Sequence, residues 1–446
     1  MRTLPLFPLF FFLLYAVHST AQQKQDSVKL PFAIAKEKRL SDEDLSNKKE
    51  GAYVTGVPDV SSDPINGFGA GVEGSLFFDG KKNDPFFAYT PYRSELSLAV
   101  FYTTKEQREF NFKLDVPYIF RSKWRLFAEL GYGVDPNLLY FGTTERSLEP
   151  LSYFPGNDST KPRVTHASYE EYNNSLTGSR TFYNTYQQEE KLVNVIFMRT
   201  FLEGKMRALG GYEFALMNIS SPRNANSFLA KDAAAGKIPG FGDNHTSLFQ
   251  VGLIYDTRDL EDDPSKGILA EVMNELSRQA LGSEFNFNKL GFHFNLYQPV
   301  WKRKIKRCVF AFRFGIISTQ GNAPIQEYPD LETSDQTIKA LGGGTTLRGY
   351  KEQRFIARVM AFSNFELRLR FTQFNMLRQH FAFSAVPFFD AGGAWDDVSR
   401  MGHTENLRYS EGLGLHITWN NNTLLRFDYA LSKEDRQFFF GLGQTF

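Results

Sequence analysis

The residue of this 446-residue chain best placed to do chemistry is one arginine among glycines. It stands in Leu341-Gly342-Gly343-Gly344-Thr345-Thr346-Leu347-Arg348-Gly349-Tyr350. Glycines at that density let the backbone turn tightly and approach other backbone closely, so Gly342, Gly343 and Gly344 read as a loop hinge. Downstream, Asn364-Phe365-Glu366-Leu367-Arg368 and Pro387-Phe388-Phe389-Asp390-Ala391-Gly392 each turn a carboxylate, Glu366 and Asp390, away from the neighbouring Phe365 and Phe389. A guanidinium in a confined interior is costly unless carboxylates receive its planar fork of donors; once paired, it locks the segment that carries it. Two blander readings stay open at this point. Arg348 would be a solvated loop residue over a flexible glycine hinge, or the glycines would cradle a phosphate. The second is poorer, because no GxxxxGK[ST] pattern follows and no helix is expected there.

No catalytic set emerges. Histidines 166, 245, 293, 380, 403 and 416 are scattered, without an HExxH or close His/Cys spacing, so neither a metal site nor a cofactor is expected. His293 and His416 are expected to be polar lining, and no motif supports a Ser–His dyad. The single cysteine, Cys308, excludes a disulfide framework. A net charge of +1 argues against nucleic acid as a partner.

The elements that would position Arg348, Glu366 and Asp390 are strands of period two. Glu109-Phe110-Asn111-Phe112-Lys113-Leu114-Asp115-Val116 alternates without a fault, and Leu96, Leu98 and Val100 share one face of the preceding segment. Near the C-terminus Leu413, Leu415, Ile417 and Trp419 share a face, and then Leu425, Phe427, Tyr429 and Leu431 alternate with Arg426, Asp428 and Ala430. Between Phe285 and Tyr297 the phase shifts around Asn288-Lys289, which predicts a bulge. Such strands, with apolar and polar faces over roughly ten residues each, fit a lipid-facing exterior around a polar lumen. The 45 Phe and 20 Tyr fit the same design better than a soluble core. With no open edge tolerated in lipid, the sheet must close. Counting back from Phe446, short turns fall near 121–123, 202–205, 299–303 and 419–422, and long segments at about 135–188, 219–245 and 321–355 all land on the opposite side. The phase requires a first strand near Ala52–Val60 and predicts an all-β, 16-stranded antiparallel transmembrane β-barrel.

Before the barrel, Arg2, the apolar run Leu4 to Val17 and Ser19-Thr20-Ala21 read as a secretory signal over 1–21. No later stretch reaches the roughly 18–20 apolar residues of a helical span. Residues 22–50 form a short periplasmic segment (a helix, a linker or a plug), and 51–446 the barrel.

Here a resemblance becomes specific. Leu347-Arg348-Gly349-Tyr350 resembles the [V/I/L]-R-G-[F/Y] signature of the sixth outer loop in the BamA-like bacterial surface antigen superfamily. Phe388-Phe389-Asp390-Ala391-Gly392 is similar to its F-x-D-x-G strand, Asn364-Phe365-Glu366 to the strand with its inward glutamate, and Asp256-Thr257-Arg258-Asp259 with Asp263-Pro264 and Lys266-Gly267 to a periplasmic turn. The resemblance covers roughly 50–446. It implies a sixth extracellular loop folded into the lumen, with Arg348 paired to Glu366 and Asp390. It also implies a non-enzymatic barrel in the outer membrane of a Gram-negative bacterium that inserts or translocates polypeptides. The last strand, with Phe438, Phe440, Leu442 and Phe446 on one face, resembles a barrel assembly signal. Members with proven transport carry periplasmic polypeptide-transport-associated (POTRA) domains, and 22–50 is too short for one. The expected kinship is therefore the barrel-only subset, whose partners would be outer-membrane lipid and an outer-membrane or periplasmic protein. The alternatives are a passive or ligand-specific pore, or a structural subunit of an outer-membrane complex.

Overall fold

A computed structural model describes residues 29–446 apart from 64–65, 154, 156–159, 166–167, 262, 302–306, 329, 335–336, 340, 378 and 421–422. The signal-like residues 1–21 and the first part of segment 22–50 lie outside the described residues. Sixteen strands form one sheet in chain order. The first eight are β1 (Ala52–Asp63), β2 (Gly67–Phe78), β3 (Ser94–Thr103), β4 (Arg108–Val116), β5 (Trp124–Leu139), β6 (Thr185–Phe201), β7 (Met206–Ser220) and β8 (Gly242–Asp256). The second eight are β9 (Gly267–Ser277), β10 (Phe287–Pro299), β11 (Arg307–Gly321), β12 (Val359–Met376), β13 (Gln379–Trp395), β14 (Leu407–Trp419), β15 (Thr423–Ser432) and β16 (Arg436–Leu442). Each pairs antiparallel with the next. The weak first strand anticipated near Ala52–Val60 is present and pairs over its whole length with β2.

Period two decides which side chains meet. On β9, Leu269, Glu271, Met273, Glu275 and Ser277 are buried on one face, while Val272 stands exposed on the other. The exposed face of the sheet is largely apolar, carrying Val54, Val72, Leu98, Val251, Phe371 and Leu413 among others. A polar inner face and an apolar outer one reverse the usual one-sided antiparallel sheet, in which the solvated face is polar. Aromatic pairs knit neighbouring strands on the outer face, for example Phe312 on Phe365 at 4.9 Å between ring centroids.

One expectation fails here. Strand β10 has no bulge: Phe287 to Tyr297 pairs in unbroken register with both β9 and β11. Phe287 faces inward, in phase with Lys289, Gly291 and His293. It packs among Tyr140, Ile219, Leu248 and Ile325, in an apolar cluster formed with the connecting segments. An inward phenylalanine thus mimics a phase change without moving the ladder. Irregular register occurs instead between Arg370 and Thr372 and between Asp135 and Leu138.

The connections at the end of the sheet that carries both termini run no longer than 79–93, and the longest ones, 140–184, 221–241 and 322–358, are at the far end. Residues 29–50 lie across the terminal end. Ser41 accepts from Asp44 N–H and caps the short helix Asp42–Asn47. Ala35 N–H donates to Glu203 O and Leu40 N–H to Ala88 O, and Lys48 Nζ donates to Phe87 O and Thr90 O. The Phe32 ring meets Phe86 and Tyr118. Lys38 reaches Asp256 at 3.1 Å, in a network where Arg207 joins Asp256 to Glu261 and Arg125 joins Glu261 to Asp115. Burial pulls the Lys38 ammonium below its ordinary value, and Asp256 opposes that shift. The short segment is therefore a strap tied to three separate turns.

The outer face generates a test. Leu413, at the middle of β14 and 58% exposed, changed to Arg, should lower folding stability in lipid vesicles by about 2–4 kcal/mol. Urea titration in vesicles reads it, and an unchanged midpoint would mean that this face does not meet hydrocarbon.

Candidate functional site

The far-end segment 322–358 brings its glycine-rich part against the inner face. Leu331, Ile338, Leu341, Leu347, Tyr350 and Phe355 are buried there together with Ile317, Met360 and Phe362 of the sheet. Gly342, Gly343 and Gly349 have φ of +118°, +80° and +90°. A Cβ on Gly342 would collide with the Lys351 carbonyl, and one on Gly349 would press on the Leu431 backbone at 3.0 Å. At these positions only glycine allows both the left-handed turn and the approach of backbone to backbone.

That conformation delivers Arg348, which is 0% exposed. Its Nε and Nη2 donate to the two oxygens of Asp390 at 2.8 and 2.9 Å, the planar bidentate geometry that suits a guanidinium. Its Nη1 donates to Glu366 Oε1 at 2.9 Å and to Asp428 Oδ2 at 3.0 Å. Its own backbone N–H donates to Asp390 Oδ2 at 3.2 Å. Below, the Phe388 ring centre lies 3.5 Å from Arg348 Cζ. Glu366, Asp390 and Asp428 belong to β12, β13 and β15, so one side chain ties a connecting segment to three strands.

The three sequence-predicted charges, Arg348, Glu366 and Asp390, are thus brought together. Tyr350 is buried beside Phe355 at 5.2 Å between centroids. The aromatic terminus behaves differently. Phe438 is exposed and Phe440 and Leu442 are half-buried along β16, but Phe446 leaves that face and is buried among Tyr297, Val309 and Ala311. Strand pairing ends before it, because Gly443 breaks the extended backbone with φ +77°.

Sequence reasoning set Arg368, His293 and His416 on the inner face without naming their partners, and it missed several other members. Asp428 was legible by parity, since it alternates with Phe427 and Tyr429. Arg313 donates from Nε to Asn364 Oδ1 at 3.0 Å, from Nη1 to Thr445 O at 2.7 Å, and from Nη2 to Thr345 O. Its signal was a lone charge in Phe310-Ala311-Phe312-Arg313-Phe314. Asn364 Nδ2 donates to Asp390 Oδ1 at 2.7 Å and Thr346 O at 2.6 Å. Arg368 Nε donates to Glu366 Oε2 at 3.0 Å, and Arg426 Nη1 to Gly344 O at 3.0 Å and to Thr445 Oγ1. His416 lies 3.2 Å from Asp428 Oδ1, and His293 2.9 Å from Glu271. Among the described residues no three His, Cys, Asp or Glu side chains converge as metal ligands would.

A family model described as the Omp85 superfamily domain matches residues 93–446, the part of the chain that carries this whole cluster. The chain belongs to the Omp85 superfamily. The match begins later than the resemblance read from the motifs, because residues 30–93, the strap with β1 and β2, match a separate domain of unknown function. A relative of this Omp85 chain, the outer membrane protein assembly factor BamA of Nitratidesulfovibrio vulgaris, is 24% identical over 225 residues. Those residues cover 46% of this chain and 26% of that protein, so the chain spans about a quarter of its relative's length. Two solved structures share the fold. BamA from Haemophilus ducreyi lacking POTRA domains 1–3 aligns with a TM-score of 0.51 at 14% identity, over 89% of this chain and 70% of that one. CdiB from Escherichia coli aligns with a TM-score of 0.54 at 12% identity, over 88% and 62%. An Omp85 sheet with this apolar outer face has its place in the outer membrane of a Gram-negative cell.

Removing the guanidinium leaves three buried carboxylates facing one another. Arg348→Ala should cost about 3–5 kcal/mol of stability. Arg348→Lys should recover only part of it, because an ammonium lacks the bidentate fork. Denaturant unfolding of refolded protein in detergent decides, and an alanine variant as stable as the parent would leave the cluster without a structural role.

Proposed function

We propose that the sheet closes into a β-barrel, that 322–358 is its sixth extracellular loop folded into the lumen and locked by Arg348, and that the protein inserts or translocates polypeptides at the outer membrane without enzymatic chemistry. The observation that carries this reading is the single arginine bonded to strands β12, β13 and β15 from a connecting segment. Such a tie shapes an interior and does no covalent work. Closure is favoured by contacts across the seam: Thr423 Oγ1 donates to Thr55 Oγ1 at 3.1 Å, from β15 to β1, and Lys49 Nζ to Gln379 Oε1 at 2.9 Å. The terminal end, with its short turns and the strap 29–50, is then periplasmic. Membership of the Omp85 superfamily and likeness to a protein named as an assembly factor support a polypeptide as cargo. A periplasmic or outer-membrane protein would work with it, docking where the strap lies.

A passive pore is the second reading, favoured by a cavity of about 460 Å³ along the inner face, lined by Glu109, Glu129, Glu190 and Glu332 with Lys113 and Lys339. Single-channel recording separates the two. A locked loop predicts low conductance in the parent and a clear rise in Arg348→Ala, with cations favoured by the acidic lining. High conductance unaltered by the substitution would instead establish an open pore. Affinity purification from the native membrane supplies the other half: a stoichiometric protein partner is expected, and lipid alone in the eluate would remove the partnered reading.

A further inference from the structure

The inner face of β4 to β7 carries more carboxylates than the chain supplies cations for. Lys113, Glu129, Asn194 and Glu213 stand on one rung of the sheet, each opposite the next in register. Four residues further along the strands, Glu109 and Glu190 flank Gly133, which places no side chain between them. At about 3.3 Å per residue the two rungs lie roughly 13 Å apart. Both line the cavity of about 460 Å³, and Glu332 reaches it from the connecting segment 322–358. The two lysines there are engaged, Lys113 with Glu129 at 3.7 Å and Lys339 with Asp330 at 3.0 Å, which leaves Glu109, Glu190, Glu213 and Glu332 without an ion pair among the described residues.

A second observation is independent of charge. Asn194, on the same cavity wall, is 3% exposed, and its Oδ1 has no hydrogen-bond partner among the described residues. Asn111, between the rungs, donates from Nδ2 to Glu129 Oε1 at 2.6 Å, and its own buried Oδ1 is likewise unpartnered. Both atoms are acceptors, and burying an acceptor without a donor is unfavourable. The wall therefore calls for donors as well as for positive charge. An alkylammonium group supplies both, with three N–H donors on one charge. A compact metal ion does not fit, because among the described residues no three His, Cys, Asp or Glu side chains converge on a point. Negative charge divided between two rungs suits a cation whose own charges are spread along a flexible chain. A cleft lined by one sign of charge also concentrates counter-ions of the other.

We infer that this wall is a binding site for a linear polyamine, with one ammonium group held by Glu129, Asn194 and Glu213 and another by Glu109 and Glu190. The inference goes beyond the proposed function, which assigns the wall no ligand, and it stands whether or not a polypeptide is moved. The probe is spermine, titrated by calorimetry onto the full-length protein in detergent, with butylamine and magnesium as controls. At about 0.1 M salt, attraction beyond roughly 10 Å is screened and contacts decide. Spermine should bind one per chain and at least about tenfold tighter than either control, because its second ammonium group engages intramolecularly. Glu190→Gln should weaken spermine at least about fivefold through the loss of one charge-assisted contact. Asn194→Leu, which removes an acceptor and no charge, should weaken it as well, whereas attraction by net charge alone would be unmoved. Spermine held no tighter than magnesium, or an affinity indifferent to both substitutions, overturns the inference. Should neither variant refold, the parent still decides by denaturant unfolding. Spermine should raise its midpoint and sodium chloride of equal ionic strength should not, since only a ligand of the folded state stabilises it by mass action; a midpoint indifferent to spermine, or moved as far by salt, sinks the site. A protein that binds spermine yet inserts nothing would keep this site and lose the broader function.

Discussion

Everything on the inner face is arranged around one constraint, the burial of the Arg348 guanidinium. Four such groups lie close together, those of Arg313, Arg348, Arg368 and Arg426, and each is at most 8% exposed. They face the carboxylates of Glu366, Asp390 and Asp428, and Arg368 also donates to the Phe446 main-chain oxygen. Taking so many charges from water costs several kcal/mol per ion, which is recovered only if nearly every donor finds an acceptor in good geometry. That requirement fixes the position of the connecting segment more narrowly than apolar packing would. Leu347 and Tyr350 could settle against neighbouring side chains in several ways, whereas a bidentate pair with Asp390 has one orientation.

The constraint reaches outward through the pleat. Because strand side chains alternate, placing Glu366, Asp390 and Asp428 inward sends Phe365, Phe389 and Phe427 outward, and the cluster thereby specifies part of the apolar surface. The glycines answer the same geometry. Gly412 and Gly414 on β14 leave room for the Phe388 ring and the Asp428 carboxylate, so the wall is thin where the cluster is crowded.

What the sequence made legible was whatever follows from local period and sign. The parity of Glu366 and Asp390, the short turns near 121–123 and 202–205, and the long far-end segments all follow from neighbours in the chain. What it hid was set by distant partners. Phe287 looked like a phase error because its apolar surroundings come from Tyr140, Ile219 and Ile325, far away in sequence. Phe446 looked like one more outward aromatic because parity cannot register that Gly443 ends the strand. Arg313 carried a visible signal, a charge set between phenylalanines, yet its partners Thr345, Asn364 and Thr445 come from three other segments. The strap read only as a helix, a linker or a plug, since its anchors at Glu203, Ala88 and Asp256 become neighbours only once the sheet has formed.

The position of Thr445 joins two regions that need not have been joined. Its hydroxyl accepts from Arg426 and lies 3.4 Å from Arg348 Nη1, and its carbonyl accepts from Arg313, which also donates to Thr345 of the connecting segment. The end of the chain and the locked segment therefore share donors. Withdrawing the tail strips acceptors from four arginines, Arg313, Arg348, Arg368 and Arg426, and lifting the segment takes the Arg348 donor from the tail. Sites linked through shared partners are coupled reciprocally, by typically 1–3 kcal/mol. The tail also abuts the seam between β1 and β16, across which no ladder forms among the described residues, next to Thr55 and Gly56. An event at that seam is in this way an event at the loop, through side chains in direct contact and without any movement of the strands between them.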